Sequence, residues 1–230
     1  WQRPTNSGRD LGMSGFHEER TTVSDGRMFA VLPAAGRSRR MGRPKLLLPL
    51  GNSTVIARLV LALRDGGVED VIVVVRPDDT ALAEAAEAAG ACVVRPGADP
   101  ADMRQSVQYA LDFLAQERQP THNDGWMLIP ADHPLVDANT VSMLLHQWRA
   151  TSAPILVPTH DGRRGHPTLF RWGLAEEVPH ISPHQGLNRL VHVHESEVEE
   201  FPVATDHILL DLDTLEDYER LQVEWRREQE

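Results

Sequence analysis

From Met28 onward, short apolar runs typical of β-strands alternate with amphipathic stretches typical of α-helices, and no other feature limits the fold as strongly. The run from Val68 to Val75 is rich in β-branched residues, as are strands in the middle of a parallel sheet. A repeated β-α-β order requires parallel strands that are joined by right-handed crossovers. The sequence therefore predicts an α/β fold with a mainly parallel sheet, in which ligands bind beyond the carboxyl ends of the strands.

The individual elements follow from hydrophobic periodicity and from the turn residues at their ends. Strands are expected at residues 28–32, 68–75, 91–94, 126–129 and 155–157, with a short extended piece at 46–50. Ser53 is expected to cap a helix that ends near Arg64. Further helices are expected at residues 79–89, 103–116, 137–148 and after Thr214, and the pattern is weaker between 159 and 200.

Composition is that of a soluble globular protein, and 230 residues can form one sizeable α/β domain. We expect this domain over residues 28–230, and a flexible leader over the polar residues 1–27. The net charge of −11 argues against general nucleic-acid binding, which needs a wide basic face. Cys92 is the lone cysteine, so an internal disulfide is excluded. No apolar run approaches the ~20 residues of a membrane span, and a cytoplasmic location is expected.

The first candidate binding element is the loop after the first strand. Ala34, Ala35 and Gly36 are small enough for the backbone to approach a ligand closely. They lead into five cations with no acid among them: Arg37, Arg39, Arg40, Arg43 and Lys45. Small residues followed by concentrated positive charge suit a polyphosphate, although a solvated basic loop would show the same charge.

Lys45 is the only lysine in the chain, and every other basic residue apart from histidine is arginine. The compact, rotatable ammonium group of lysine suits a point contact to a phosphate oxygen whose charge changes during a reaction. Neither familiar phosphate loop fits the spacing. A Walker loop requires a hydroxyl residue after the lysine, and a dinucleotide loop requires three glycines where this stretch has Gly36 and Gly42.

The stretch from Val31 to Leu48 resembles the signature of Rossmann-like nucleotidyltransferases, Leu-Ala-Ala-Gly-x-Ser-x-Arg-Met-Gly-x-Pro-Lys. The nearest branch is that of the molybdenum-cofactor cytidylyltransferases, which belong to the MobA-like group. Pro33 is more similar to the methylerythritol-phosphate cytidylyltransferases. The resemblance implies a three-layer fold of the nucleotide-diphospho-sugar transferase type. It also implies nucleotide-binding residues, namely Ala34, Ala35, Gly36, Arg37, Ser38, Arg40, Lys45 and Ser106.

A carboxylate follows the predicted strand 126–129. Asp132 lies between Pro130 and Pro134, where a rigid strand end could coordinate Mg²⁺, although a turn aspartate is an equally good interpretation. The segment resembles the family's Asp-x-Pro-Leu, whose aspartate binds Mg²⁺. Its middle residue is often Gln or Met in the family and is His133 here. We interpret His133 as a turn histidine, and contact with a ligand or metal is the alternative.

The segment 209–218 resembles the family's Asp-Ile-Asp-Thr-Pro-Glu-Asp motif, with Leu215 in place of the proline. Strand alternation would put Asp211 and Asp213 on one face, so either could be a second metal-side carboxylate. Our preferred metal pair is Asp132 and Asp213. Thr214, with Asp217 three residues later, is best explained as a helix cap.

Gly165, His166 and Pro167 resemble the family's Gly-x-Pro segment, which shapes the acceptor pocket; a simple turn is the alternative. Two other motifs depart from the family pattern. The residue before Met103 is Asp102 instead of Gly, and the Gly-Asp-x-Gly motif becomes 183–186 with no acid. These departures leave the identity of the acceptor open.

Together the motifs imply a Mg²⁺-dependent nucleotidyltransferase in which Lys45, Arg40 and Asp132 are catalytic and pyrophosphate is released. The Ala-Ala-Gly start favours CTP over GTP. The expected acceptor is the molybdopterin cofactor, with a molybdoenzyme or its chaperone as a possible partner. Two alternatives remain open: a sugar- or alditol-phosphate acceptor, and a non-catalytic protein that binds a nucleotide or cofactor.

Overall fold

The computed structural model describes residues 26–227, and the leader predicted over residues 1–27 lies outside them except for Gly26 and Arg27. Strands are β1 (Met28–Pro33), β2 (Pro49–Leu50), β3 (Ser53–Thr54), β4 (Asp70–Val74), β5 (Cys92–Val94), β6 (Gly125–Leu128), β7 (Ile155–His160), β8 (Arg163–Arg164), β9 (Thr168–Arg171) and β10 (Val198–Pro202). Helices are α1 (Val55–Asp65), α2 (Thr80–Ala88), α3 (Met103–Glu117), α4 (Ala138–Ala150), α5 (Asn188–Val193) and α6 (Leu215–Arg227). Short 3₁₀ helices cover Lys45–Leu47, Trp172–His180, Glu195–Glu197 and Asp206–Leu209.

Within the described residues, the main sheet has the order β10-β7-β9-β6-β1-β4-β5, and β8 pairs with β7. Strand β1 lies near the middle and pairs in parallel with both β4 and β6. Strand β9 is antiparallel to β6 and β7, and β8 is antiparallel to β7. The prediction of an α/β fold with a mainly parallel sheet is therefore confirmed.

The side chains of β1 alternate between two buried faces, as period-two geometry requires. Ala30 and Leu32 lie in the core under α1, α2 and α4, whereas Phe29 and Val31 face the core under α3. The helices thus form one layer on each side of the sheet. This three-layer packing buries β1 on both faces and explains why its sequence is apolar throughout. No helix in residues 26–227 combines the length and apolar composition that crossing a membrane requires.

Three local predictions were wrong. The piece expected to be extended at 46–50 begins within the 3₁₀ helix Lys45–Leu47, and only Pro49–Leu50 form a strand. Thr54, not Ser53, caps α1, because the Thr54 hydroxyl accepts a hydrogen bond from the Ala57 N–H at 3.3 Å while Ser53 pairs with Leu50 in a small hairpin. The segment 209–213 is not a strand. It follows the 3₁₀ helix Asp206–Leu209 and leads to α6 without being part of either sheet that the structure describes. The cap at Thr214 is correct, since Asp217 accepts from the Thr214 N–H at 2.9 Å and donates its own N–H to the hydroxyl at 3.2 Å.

Asp124 fixes the start of β1 from the neighbouring loop. Its carboxylate accepts hydrogen bonds from the Arg27 backbone N–H at 2.7 Å, the Arg27 guanidinium at 2.8 Å and the Thr121 N–H at 2.7 Å. Burial opposes ionisation of this side chain, yet the bonds from Arg27 and Thr121 hold the pKa of Asp124 below its usual range. The ionised carboxylate is therefore part of the folded structure.

We expect Asp124→Asn to lower the free energy of unfolding by about 2 kcal/mol at pH 7, because it leaves the Arg27 guanidinium without its carboxylate. A carboxyl whose folded pKa is depressed contributes stability above its unfolded pKa of about 3.9 and loses it as the pH falls. The difference from the wild type should therefore shrink towards pH 3. Urea unfolding at both pH values measures this, with Asp65→Asn at an exposed helix end as the control. An equal difference at both pH values would contradict the prediction.

Candidate active site

The sheet order brings two separate loops to one edge. Strands β1 and β6 are parallel neighbours, so their carboxyl ends meet there. The basic loop, defined here as residues 34–45, follows β1, and the turn that carries Asp132 follows β6. A third segment, 210–214, crosses beside them, because the Leu212 N–H donates to the Asp132 carbonyl at 2.9 Å. Residues far apart in sequence therefore converge at the predicted position.

Lys45 lies at the centre of this convergence. Its ammonium nitrogen is 2.7 Å from Asp132 Oδ2 and 2.9 Å from Asp213 Oδ1. The other oxygen of Asp213 accepts a hydrogen bond from Arg40 at 2.8 Å. The Lys45 side chain is only 14% exposed, so these contacts are shielded from solvent. The only lysine of the chain thus joins the two carboxylates that were preferred as the metal pair.

Lys45 and Asp132 are both charged at neutral pH. Burial disfavours the Lys45 cation, but Asp132 and Asp213 outweigh this and raise the pKa of Lys45. Burial likewise opposes ionisation of Asp132, but a hydrogen bond from His133 and the Lys45 ammonium hold the pKa of Asp132 far below its usual range. The cluster is therefore a compact arrangement of two anions and one cation, and displacement of the cation would leave the anions available to another positive group.

Asp211 does not share this position. Its side chain is exposed, whereas Asp213 contacts Lys45 and Arg40 and the intervening Leu212 is buried. Of the two carboxylates between which the sequence does not choose, Asp213 is therefore the one that lies beside Lys45. The cap at Thr214 lies next to it, and Asp217 also accepts from the Asp213 N–H at 3.2 Å.

Ser38 shapes the basic loop. Its backbone adopts a positive φ of 48°, and its carbonyl accepts hydrogen bonds from Met41 and Gly42, both at 3.1 Å. The Ser38 hydroxyl accepts from the Lys45 N–H at 3.3 Å, and Gly42 supplies a second positive φ of 64°. Ser38 therefore closes the loop on itself and sets the position from which Lys45 extends.

A cleft of about 460 Å³ opens between the basic loop, the amino end of α3 and the Asp132 turn. Of the residues predicted to bind nucleotide, six line it together with Asp132: Ala34, Ala35, Gly36, Arg37, Lys45 and Ser106. The remaining walls include Asp99, Pro100, Ala101, Asp102 and Met103. Ser38 and Arg40 are not among the lining residues, because Ser38 turns into the loop and Arg40 reaches towards Asp213.

The predicted acceptor segment contacts the Asp132 turn through the rings of His166 and His133. Gly165 donates its N–H to Pro158 and His166 donates its N–H to Ile208, both at 2.9 Å. A Cβ at Gly165 would lie 2.5 Å from the Ile208 carbonyl oxygen. Glycine is therefore required at position 165 because the 3₁₀ turn at Asp206–Leu209 packs against it, and a role of this segment in the acceptor pocket stays a prediction.

Three interacting residues were missed by sequence reasoning. Asp99 forms an ion pair with Arg37 at the rim of the cleft. Arg76 follows β4 and donates to the Gly36 carbonyl at 3.0 Å, which its position at a strand end could have indicated. His133, interpreted as a simple turn residue, contacts the Asp132 carboxylate with Nδ1 at 3.1 Å.

Asp132 and Asp213 are the residues that could hold a divalent cation. Among residues 26–227, no group of three or more His, Cys, Asp and Glu side chains is placed to hold a metal unaided. Mg²⁺ is commonly bound by one or two carboxylates and completed by waters and substrate phosphates. Two carboxylates that already converge on one cation beside a cleft fit such a substrate-completed site.

A mainly parallel sheet with a basic loop, a half-buried lysine and two carboxylates that meet it beside one cleft is typical of the nucleotidyltransferase class. The chain belongs to the MobA-like NTP transferase domain family, whose pattern matches residues 30–198. The predicted family and fold type are thereby confirmed. The matched range includes Lys45 and Asp132 and ends before Asp213.

Individual relatives agree with this assignment. A 2-C-methyl-D-erythritol 4-phosphate cytidylyltransferase from Streptomyces avermitilis is 33% identical over 150 residues, which span 61% of this chain and 57% of that protein. The crystal structure of an Rv0371c homologue from Mycobacterium sp. strain JC1 is 28% identical, with a TM-score of 0.71 over 87% of this chain and 98% of that chain. Rv0371c from Mycobacterium tuberculosis H37Rv, solved in complex with manganese, is 29% identical, with a TM-score of 0.68 over 86% and 98%.

Proposed function

We propose that this protein transfers CMP from CTP to a small phosphorylated acceptor and releases pyrophosphate. The observation that carries the proposal is the meeting of Lys45, Asp132 and Asp213 beside one cleft. Its volume of about 460 Å³ lies within the range of about 300–1,000 Å³ of ligand pockets. Similarity to a cytidylyltransferase over 61% of the chain supports the reaction class and the base.

The cleft supports a defined placement of the nucleotide. Ala34, Ala35 and Gly36 form a wall of small residues, and a Cβ at Gly36 would point into open space. The nucleoside would lie against this wall, with the triphosphate extending towards the cations of the basic loop. Arg37 and Arg40, now paired with Asp99 and Asp213, would exchange these partners for the β- and γ-phosphates.

In the proposed reaction, the protein positions the reacting groups and stabilises the charge on the transferred phosphate. An acceptor phosphate oxygen attacks the α-phosphorus in line, the bond to the bridging oxygen breaks, and the electron pair leaves with pyrophosphate. The Lys45 ammonium would contact the α-phosphate and stabilise the negative charge that accumulates there. Mg²⁺ held by Asp132 and Asp213 would neutralise phosphate charge, and the manganese complex of Rv0371c supports a divalent cation in this role.

We expect a clear preference for CTP when the four ribonucleoside triphosphates compete in a pyrophosphate-release assay with Mg²⁺. The preference is inferred from the Ala34-Ala35-Gly36 start, which favours CTP over GTP, and from the similarity to a cytidylyltransferase. Reactions without acceptor and without metal serve as controls. A preference for GTP would reject the assignment of the base.

The acceptor in this proposal is the molybdopterin cofactor, supported by the MobA-like family, and a molybdoenzyme or its chaperone would then receive the product. A second acceptor, an alditol phosphate such as 2-C-methyl-D-erythritol 4-phosphate, is favoured by the relative from Streptomyces avermitilis. Parallel assays with each acceptor distinguish the two. Tight CTP binding without pyrophosphate release from either would favour a non-catalytic binding protein.

A further inference from the structure

His133 directly follows Asp132 and is almost buried, with 9% of its side chain exposed. Its Nδ1 lies 3.1 Å from Asp132 Oδ1, while Lys45 holds the other oxygen, Oδ2, at 2.7 Å. An ionised carboxylate has no proton to share, so the Nδ1–H of His133 is the donor. The two oxygens of Asp132 therefore have different partners, and of these two only Lys45 belongs to the basic loop.

The ring of His133 also contacts the predicted acceptor segment. Its centroid lies 4.9 Å from the centroid of the His166 ring, and the planes meet edge to face at 79°. Burial and the neighbouring His133 lower the pKa of His166 to about 4, so this ring is neutral at pH 7. The His166 backbone is in turn fixed by its hydrogen bond to Ile208. His133 thus lies between the fixed acceptor segment and the carboxylate.

We propose that His133 is a positioning residue, which holds Asp132 Oδ1 so that Oδ2 stays directed at the cleft when Lys45 turns to a phosphate. This inference rests on the proposed function, because it assigns a task to the carboxylate after the nucleotide arrives. Without a donor on Oδ1, the Asp132 carboxylate would lose both of the side-chain hydrogen bonds that hold it here once Lys45 leaves. Hydrogen bonds from neighbouring side chains commonly orient metal-binding carboxylates, and their loss typically costs about ten- to a hundredfold in metal affinity.

A matched pair of substitutions separates the hydrogen bond from the ring. His133→Asn keeps an N–H donor where Nδ1 lies and removes the ring, whereas His133→Phe keeps a ring against His166 and removes the donor. We expect Mn²⁺ affinity in the presence of CTP to fall about ten- to a hundredfold in the Phe variant and to stay close to the wild type in the Asn variant. Electron paramagnetic resonance of free Mn²⁺ measures this binding without turnover, and thermal unfolding shows that each variant is folded.

Asp132→Asn, measured in the same way, separates two kinds of failure. If it lowers Mn²⁺ affinity and His133→Phe does not, the role of His133 is wrong while the proposed metal site stands. If Asp132→Asn leaves Mn²⁺ affinity unchanged, the proposed metal site itself is wrong and the role of His133 fails with it. Equal losses in the Asn and Phe variants would show that the ring matters instead of the donor, which also overturns the inference. Should the Phe variant not fold, His133→Met removes the donor with a flexible apolar side chain.

Discussion

Lys45→Ala should lower turnover by about 10²–10³ while the protein stays folded, because it removes the ammonium that would stabilise charge on the α-phosphate. The fold should persist because Lys45 lies in a loop outside the sheet, and because Arg40 still pairs with Asp213. Turnover is measured as pyrophosphate release from CTP, and folding as thermal unfolding. CTP affinity should fall less than turnover, since the contact strengthens as charge develops.

Two further variants make the Lys45 experiment specific. Lys45→Arg restores the charge with a larger, planar group that cannot fit the same point between Asp132 and Asp213, so it should recover little activity. Arg227→Ala removes a cation that is 69% exposed at the end of α6 and should leave turnover unchanged. Near-normal turnover of Lys45→Ala would remove this lysine from the mechanism.

The features of the site that depend on local sequence patterns or on strand order could be predicted from the sequence. The basic loop and Asp132 each follow a buried strand, and parallel strands place their carboxyl ends at one edge, so the β-α-β order predicted that both lie at this edge. That their two strands are neighbours is shown by the structure. The cap at Thr214 was also predictable, because it depends on residues three positions apart. Local patterns and sheet topology were sufficient for these features.

Contacts between side chains that are far apart in the chain could not be predicted from the sequence. The pairing of Arg37 with Asp99 and of Arg40 with Asp213 depends on how loops from different parts of the chain fold over the sheet edge. The packing of Gly165 could not be predicted for the same reason, since the group that excludes a Cβ is the backbone of Ile208, far along the chain. Period and spacing describe one segment at a time, whereas these contacts join segments.

Asp132→Asn should produce the second large effect, a shift of the metal titration to concentrations about ten- to a hundredfold higher with lower maximal turnover. An amide has nearly the same shape as the carboxylate but carries no charge, so it would bind a hard cation weakly. It would also leave Lys45 paired with Asp213 alone. Pyrophosphate release as a function of Mg²⁺ concentration, at saturating CTP, measures the shift.

The shift of the Mg²⁺ titration should be larger for Asp132→Asn than for Asp213→Asn. Because both variants lose one negative charge, a difference between them reports the orientation of each carboxylate. Each substitution removes one of the two carboxylates that pair with the Lys45 ammonium group. Asp132, however, is fixed through both oxygens by Lys45 and His133 and through its carbonyl by Leu212, whereas Asp213 shares its carboxylate with the exposed Arg40. A carboxylate that is already oriented loses less entropy on binding a cation. Equal shifts would mean that charge alone matters here, and an unchanged Mg²⁺ titration in Asp132→Asn would remove this carboxylate from the metal site.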